Sequence, residues 1–573
     1  MARRRVVLRA AGLAVAAAAL VAGCATVPSV GQPRAVIGAT GQIPQFVQLI
    51  PPVPQADWGP DQIVQGFVAA SASFAGNHAA AQRFLSPAAR RTLHLGSWPV
   101  TVVNVGSDPT LTPLRPAAGN GPPTLTQATL RASQVATISD IGQYVYGPAR
   151  RTYHFTLVRV GGQWRINSLT PPALLLSQDS FMDVYQARNL YFWSPGYQAL
   201  VPEPVFAPQQ DTYAAAAASL VHALMRTSQD LGSADQHDQT WLADATQTAF
   251  RPGTTLIGDK VAIEGQTAIV NLGGAAARAS PAELQRMARQ LVTTLTSTSY
   301  ASPPIARHVE LQINGRQPRG ASQRPSPPGP PLSTGPLYYL ATNGTVSALS
   351  AQNAQNAQSA QVGQNAQSEP SGRPVRNAPG HGQVPFSRIA VGSDPASGTQ
   401  LLAGAAVAGQ GCTVYYGPLT GTAPLSSSAV PDSGGGPCTS VSWDSRGDIW
   451  AVAAGDIWVL PAGSRQFLPI GPPLLPGGSA ADYQVLSLRV APDAVRVALL
   501  VKVAGPPAAN QVVMAAVSHL GGEFLLGTTV AVGPTLASPI ALSWYDPDHL
   551  VVLARSELYS VPVNGGAPAP IVP

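Results

Sequence analysis

Three cysteines lie among 573 residues, and their surroundings are where covalent chemistry is most legible. Cys24 follows Val21, Ala22 and Gly23. Small side chains ahead of a thiol fit the narrow cleft of a lipoprotein signal peptidase, and the thiol then carries a diacylglycerol group. Upstream, Arg3, Arg4, Arg5 and Arg9 form a cationic segment, followed by uncharged residues from Ala10 to Gly23. That run is too short to span a hydrocarbon core of about 30 Å. The segment reads as a lipobox; the competing reading is an ordinary signal peptide with a chance cysteine. Arg4-Arg5-Val6-Val7-Leu8 loosely matches a twin-arginine export signal, and general secretory export is the alternative. The expectation is a mature chain starting at Cys24, held on the extracytoplasmic face of the cell membrane by two or three acyl chains, since one alone anchors weakly.

Cys412 and Cys438 are an exported pair without CxxC spacing. They are a candidate disulfide, or else two buried free thiols, and the spacing argues against a metal site. Catalytic signatures are missing: no HExxH, GxSxG or Walker lysine occurs, nor a GxGxxG after a strand. Asp432-Ser433-Gly434-Gly435 echoes a serine-protease nucleophile loop but lacks a preceding glycine and an upstream histidine motif. Nine histidines are scattered, with no pair at ligand spacing on one element. Asp444, Asp493 and Asp546 recur at one position of a repeated motif; they form either a carboxylate cluster or turn residues that accept backbone N–H bonds. No enzyme activity, cofactor or metal is expected.

The elements that position these residues follow from composition. Gly and Pro number 55 and 56, and charged residues make up 11%, against about 25% in ordinary domains. A 45% hydrophobic fraction still supplies cores, so turn-rich β structure is favoured over helical bundles. The leader holds four of the formal positive charges, leaving +2, which gives no argument for nucleic acid. No later stretch is long and apolar enough for a transmembrane helix.

The expected organisation is multidomain. A signal peptide (1–23) and a Pro-rich tether (24–56) precede an α+β cone-like domain (57–180). There Ile63, Phe67, Ala70 and Phe74 share one helical face, and Arg83-Phe84-Leu85 with the stretch around Ala89 suggests a second helix. Strands follow at 100–105, 152–160 and 163–169, with Gly161-Gly162 as a hairpin turn. His154 and Trp164 would either line a pocket in such a cone or simply pack. A second α+β unit (181–317) has a helix from Tyr213, a hairpin around Glu264-Gly265-Gln266 and a strand from His308 to Ile313. Its clearest helix is capped by Ser280, Pro281 and Glu283. After a linker (318–334), residues 335–573 repeat a strand, acidic turn and strand about every 50 residues, the pattern of a β-propeller of about five or six blades. An Ala/Gln/Asn-rich tract at about 351–385 reads as a disordered insertion.

Asn189-Leu190-Tyr191-Phe192, Leu200-Val201-Pro202-Glu203, Arg251 to Leu256, Ala268 to Leu272 and Gln290 to Thr296 resemble a GerMN domain, a module of sporulation, germination and envelope proteins. The order of lipobox, cone-like domain, GerMN domain and propeller resembles the LpqB family of actinobacterial lipoproteins over essentially the whole mature chain. The resemblance implies a non-enzymatic envelope protein. It implies a partner, the extracytoplasmic part of an MtrB-like sensor histidine kinase. It also implies modulation of a two-component system governing envelope homeostasis, division and sporulation. The alternative is a propeller protein that binds envelope glycan or lipid with no kinase partner.

Overall fold

The computed structural model describes residues 51–571, less 106–109, 113–123, 140–141, 210–211, 226–240, 243–244, 299, 301, 319–335, 342–344, 350–372, 376–384, 407–410, 422–423, 432–433, 474, 476–482, 506–508 and 521. All of these fall in one compact unit, Gln42–Pro573. The lipobox, most of the linker and most of the Ala/Gln/Asn tract lie outside the described residues.

Helix α1 (Pro60–Ser71) starts where Pro60 fixes φ and the Gly59 N–H donates to Gln62 Oε1 at 2.9 Å. Its Ile63, Phe67 and Ala70 are buried. Arg83 to Leu85 form the turn between α2 (Ala75–Gln82) and α3 (Pro87–Thr92), rather than a helix. These helices cover one face of a sheet ordered β5-β4-β3-β1-β6, with β2 beside β3. The strands are β1 (Val100–Val105), β2 (Thr110–Thr112), β3 (Leu125–Ile138), β4 (Tyr144–Val160), β5 (Gln163–Thr170) and β6 (Leu174–Ser177). Gly161 and Gly162 turn the β4–β5 hairpin at φ 57° and 80°, a region a side chain would strain. Strand β3 and the first half of β4 escape a hydrophobic-period reading because the inward positions of β3 are largely Thr and Ala.

Helix α4 (Gln178–Val184) leads into a two-stranded hairpin, β7 (Tyr185–Trp193) and β8 (Leu200–Pro208). Helix α5 (Tyr213–Met225) then precedes β9 (Thr254–Leu256), β10 (Ala262–Glu264) and β11 (Thr267–Gly274). Helix α6 (Pro281–Thr296) carries the chain over to β12 (His308–Ile313), parallel to β11. Its start is as the sequence dictates: Ser280 Oγ accepts from the Glu283 N–H, and Glu283 Oε2 accepts from the Ser280 N–H at 2.8 Å.

Five antiparallel sheets follow among the described residues, over 337–374, 386–429, 438–470, 483–531 and 539–570. Each buries its face against the next. Val346, Phe386 and Leu402 join the first two, and Val414, Val441 and Ile449 the second and third. Trp450, Leu488 and Leu499 join the third and fourth, and Leu500, Leu542 and Val552 the fourth and fifth. The repeated motif supplies the ties. Ser442 Oγ accepts from the Val490 N–H at 3.2 Å, and Trp544 Nε1 donates to the Arg489 carbonyl at 3.0 Å. The chain is thus multidomain and mostly β, with a propeller at its C-terminal end.

Candidate functional site

The residues singled out by sequence do not converge on a catalytic centre. Val21, Ala22, Gly23 and Cys24 lie outside the described residues, as do Asp432 and Ser433. Cys412 and Cys438 are joined by a disulfide, Cα to Cα 4.7 Å, inside the core between the second and third sheets. His154 and Trp164 line no common pocket: Trp164 is buried in the core, whereas His154 is exposed on the opposite face beside Thr129. The recurring aspartates are turn residues. Asp444 Oδ1 accepts from the Arg446 and Asp448 N–H groups, Asp493 Oδ1 from those of Val495 and Arg496, and Asp546 Oδ1 from that of Asp548. Among the described residues, no three His, Cys, Asp or Glu side chains stand close enough to hold a metal ion.

The polar groups that do converge lie where the GerMN unit meets the propeller; the sequence singled out Asp493 and Asp546 among them but not Arg496, Glu203 or Asp548. At the centre is Arg496, 1% exposed. Its Nε donates to Asp493 Oδ2 at 2.7 Å, its Nη1 donates to the Pro547 carbonyl at 3.0 Å, and its guanidinium lies 5.0 Å from the centre of the Trp544 ring. From the other side comes the β7–β8 hairpin. Asn189 Nδ2 donates to Asp548 Oδ1 at 2.5 Å. Glu203 is 0% exposed, and neither carboxylate oxygen has a hydrogen-bond partner. Burial pushes its carboxyl up to about 8, while Arg496 and the Trp241 side chain favour the ionised form. Tyr191 is pushed up to about 12 by burial and then by Asp548. His549 Nδ1 stands 3.0 Å from Asp546 Oδ1, which raises the imidazole pKa; its ring is 5.4 Å from that of Tyr300.

Apolar packing surrounds this cluster. Val201, Trp241, Leu242 and Ala245 share one core with Val495, Leu500, Met514 and Val552 of the propeller. The other end of the hairpin enters the N-terminal domain, where the Phe206 ring is 5.0 Å from Phe181 and 5.6 Å from Tyr144. Leu190, Tyr191 and Val205, between the two ends, belong to the GerMN core. One hairpin therefore contributes to three cores. The N-terminal domain also meets the propeller directly: Gly565, at φ 82°, presses against the Tyr144 ring, where a Cβ would stand 2.8 Å from Cδ1.

A cleft of about 230 Å³ opens between the second and third sheets. Asp394, Tyr416, Trp443 and Arg446 line it.

Residues 53–182 match the family described as "Lipoprotein LpqB, N-terminal domain", residues 189–318 "Sporulation and spore germination", and residues 366–571 "Lipoprotein LpqB beta-propeller domain". Lipoprotein LpqB of Thermobifida fusca (strain YX) is 27% identical over 616 residues, covering 96% of this chain and 88% of the relative. The Streptomyces coelicolor protein of the same name is 27% identical over 610 residues, covering 100% and 91%. That of Mycobacterium ulcerans (strain Agy99) is 30% identical over 199 residues, covering 34% and 31%.

Proposed function

Because the chain belongs to the LpqB lipoprotein family, we propose that it is a non-enzymatic, lipid-anchored adaptor on the extracytoplasmic face of the cell membrane. It docks on the sensor domain of an MtrB-like histidine kinase and biases two-component signalling that controls the envelope, division and sporulation. The observation that carries this reading is the β7–β8 hairpin shared by three cores, which ties the domains into one body. A rigid body leashed beside its partner suits regulation by docking. Confinement to the same membrane raises effective concentration, so a modest interface suffices. Binding one kinase conformation better than the other shifts the balance by that difference in affinity and no more.

Cys24→Ala is expected to release the protein from the membrane fraction and to weaken the signalling output. Co-purification of the chain with the kinase sensor domain is the direct check. Unchanged signalling after release, or no association between the two proteins, would sink the adaptor reading. The glycan-binding alternative draws support from the cleft, whose Tyr416 and Trp443 rings stand beside Asp394 and Arg446. Titration with peptidoglycan fragments, repeated on Arg446→Ala, distinguishes it.

A further inference from the structure

Charge is unevenly distributed along the chain. Residues 53–182 hold nine arginines and five aspartates, whereas 183–573 hold twenty basic and 23 acidic residues. Positive charge therefore gathers in the domain that follows the Cys24 tether, and within that domain it gathers on the sheet. Strands β1 to β6 contain five arginines and no acidic residue.

Register places three of these arginines on the face turned away from the helices. Leu125, Thr129, Arg131 and Ser133 of β3 alternate with buried Thr126, Ala128, Leu130 and Ala132, so they point outward. Residues directly opposite in an antiparallel pair share a face. Arg150 pairs with Ser133, Thr152 with Arg131, and His154 with Thr129. Val158 pairs with both Leu125 and Arg165. The outward face therefore carries Arg131, Arg150, Arg165 and His154 among threonines and serines, with Leu125 and Val160 each more than a third exposed. Leu125, Arg131, Ser133, Arg150, Thr152 and His154 are all exposed, whereas Arg165 is half-buried and its guanidinium donates to the Trp164 carbonyl and to Gln163 Oε1.

We propose that this face of the N-terminal sheet docks on the membrane surface, with its arginines on the phosphates of anionic phospholipid headgroups. Guanidinium groups pair with phosphate through fixed N–H forks, and the neighbouring hydroxyls add donors. Protruding aliphatic side chains beside the arginines suit the boundary between headgroups and acyl chains. The absence of acidic residues from the sheet removes the repulsion an anionic surface would otherwise meet. Geometry permits it: 35 residues separate Cys24 from Pro60, a reach of at most roughly 120 Å, which leaves the sheet free to lie on the bilayer. The inference rests on the anchored reading of Cys24 for which surface the sheet meets. The anchor leashes the domain, and the arginine face sets its orientation, hence the side of the GerMN–propeller body presented to a partner.

The test uses the mature chain from residue 24 with Cys24→Ala, so that neither the cationic leader nor an acyl chain contributes. It is mixed with vesicles of phosphatidylcholine alone, and with an equal mixture of phosphatidylcholine and phosphatidylglycerol. Sedimentation with the mixed vesicles only, lost as salt shortens the screening length, is expected. Each of Arg131→Gln, Arg150→Gln and Arg165→Gln should weaken that binding about fivefold, and the three together on the order of a hundredfold. Arg307→Gln, an exposed arginine of the GerMN unit, should leave it unchanged. The single variants are read beside their circular-dichroism melts, so a failure of the triple variant to fold does not remove the test. No binding to the mixed vesicles at low salt overturns the proposal. So does binding indifferent to the three arginines, or binding to soluble polyphosphate without vesicle binding. A mass measurement showing Cys24 unmodified in the wild-type protein would instead defeat the anchor while leaving vesicle binding intact.

Discussion

Glu203 is an acid buried where two domains join, and Arg496 and the Trp241 side chain offset only part of the cost of burying it. Such a group costs least when neutral, so it titrates upward, from an ordinary 4.5 to about 8. The sign of the pH effect follows. An acid whose folded-state pKa is raised contributes fully below its unfolded value and loses that contribution as the pH climbs from 4.5 toward 8. At pH 7 the loss amounts to about 3 kcal/mol. His549 acts in the same direction, since its raised pKa favours the folded state at low pH. Glu203→Gln isolates the carboxyl. Melting temperature followed between pH 5 and 8 should fall more steeply for the wild type than for the variant; parallel curves would show that Glu203 is solvated. Its neighbour Arg496 works the other way. Arg496→Met leaves Asp493 without its charge partner in a buried site and should cost about 3–5 kcal/mol in chemical denaturation.

Strand β8, Leu200-Val201-Pro202-Glu203-Pro204-Val205-Phe206-Ala207-Pro208, looks more like a loop than a strand, yet its first seven residues are buried. Its prolines explain how. Tyr191 opposes Pro202, Asn189 opposes Pro204 and Tyr185 opposes Pro208. Proline has no N–H to give its partner, so these are the non-hydrogen-bonded pairs, and positions 202, 204, 206 and 208 turn their nitrogens away from β7. Of the four, Phe206 alone has an N–H, and it donates to the Gly142 carbonyl of the N-terminal domain at 2.6 Å. The outer edge of the hairpin can therefore be buried without stranding a donor. Pro204→Ala adds an N–H at that buried edge. We expect a loss of about 1–3 kcal/mol, read by denaturant titration, whereas a proline acting merely as spacer would tolerate the change. This is also where the sequence stops being legible. The capping box at Ser280, the Gly161-Gly162 turn and the β12 strand are local signals, written in adjacent residues, and each appears in the fold. A strand buried by three domains shows no alternation, because no side of it faces water. Arg496, by type, reads as surface. Its burial depends on Asp493 within its own turn and on Pro547 51 residues onward.

At the scale of the whole molecule, the expected boundary between GerMN domain and propeller runs through a shared core. Val201, Trp241, Leu242 and Ala245 lie well before residue 335, yet they pack with Val495, Met514, Leu542 and Val552. A propeller cut out at 335–573 would expose that apolar face and the Arg496 cluster together. Exposed apolar surface of this kind drives aggregation, and a buried cation that loses its surroundings no longer has fixed partners. The fragment 335–573 should therefore aggregate or bind a hydrophobic dye. A fragment 51–573, which restores the hairpin, residues 241–245 and the N-terminal domain that covers Phe206, should be soluble and melt cooperatively. Val201→Asp in the full chain is the complementary test, since it places a second acid beside Glu203 in the seam. It should split one thermal transition into two as the GerMN unit and propeller uncouple. A soluble, cooperative 335–573 fragment would mean that the shared core is an accessory contact, and that the body offered to a partner is jointed rather than rigid.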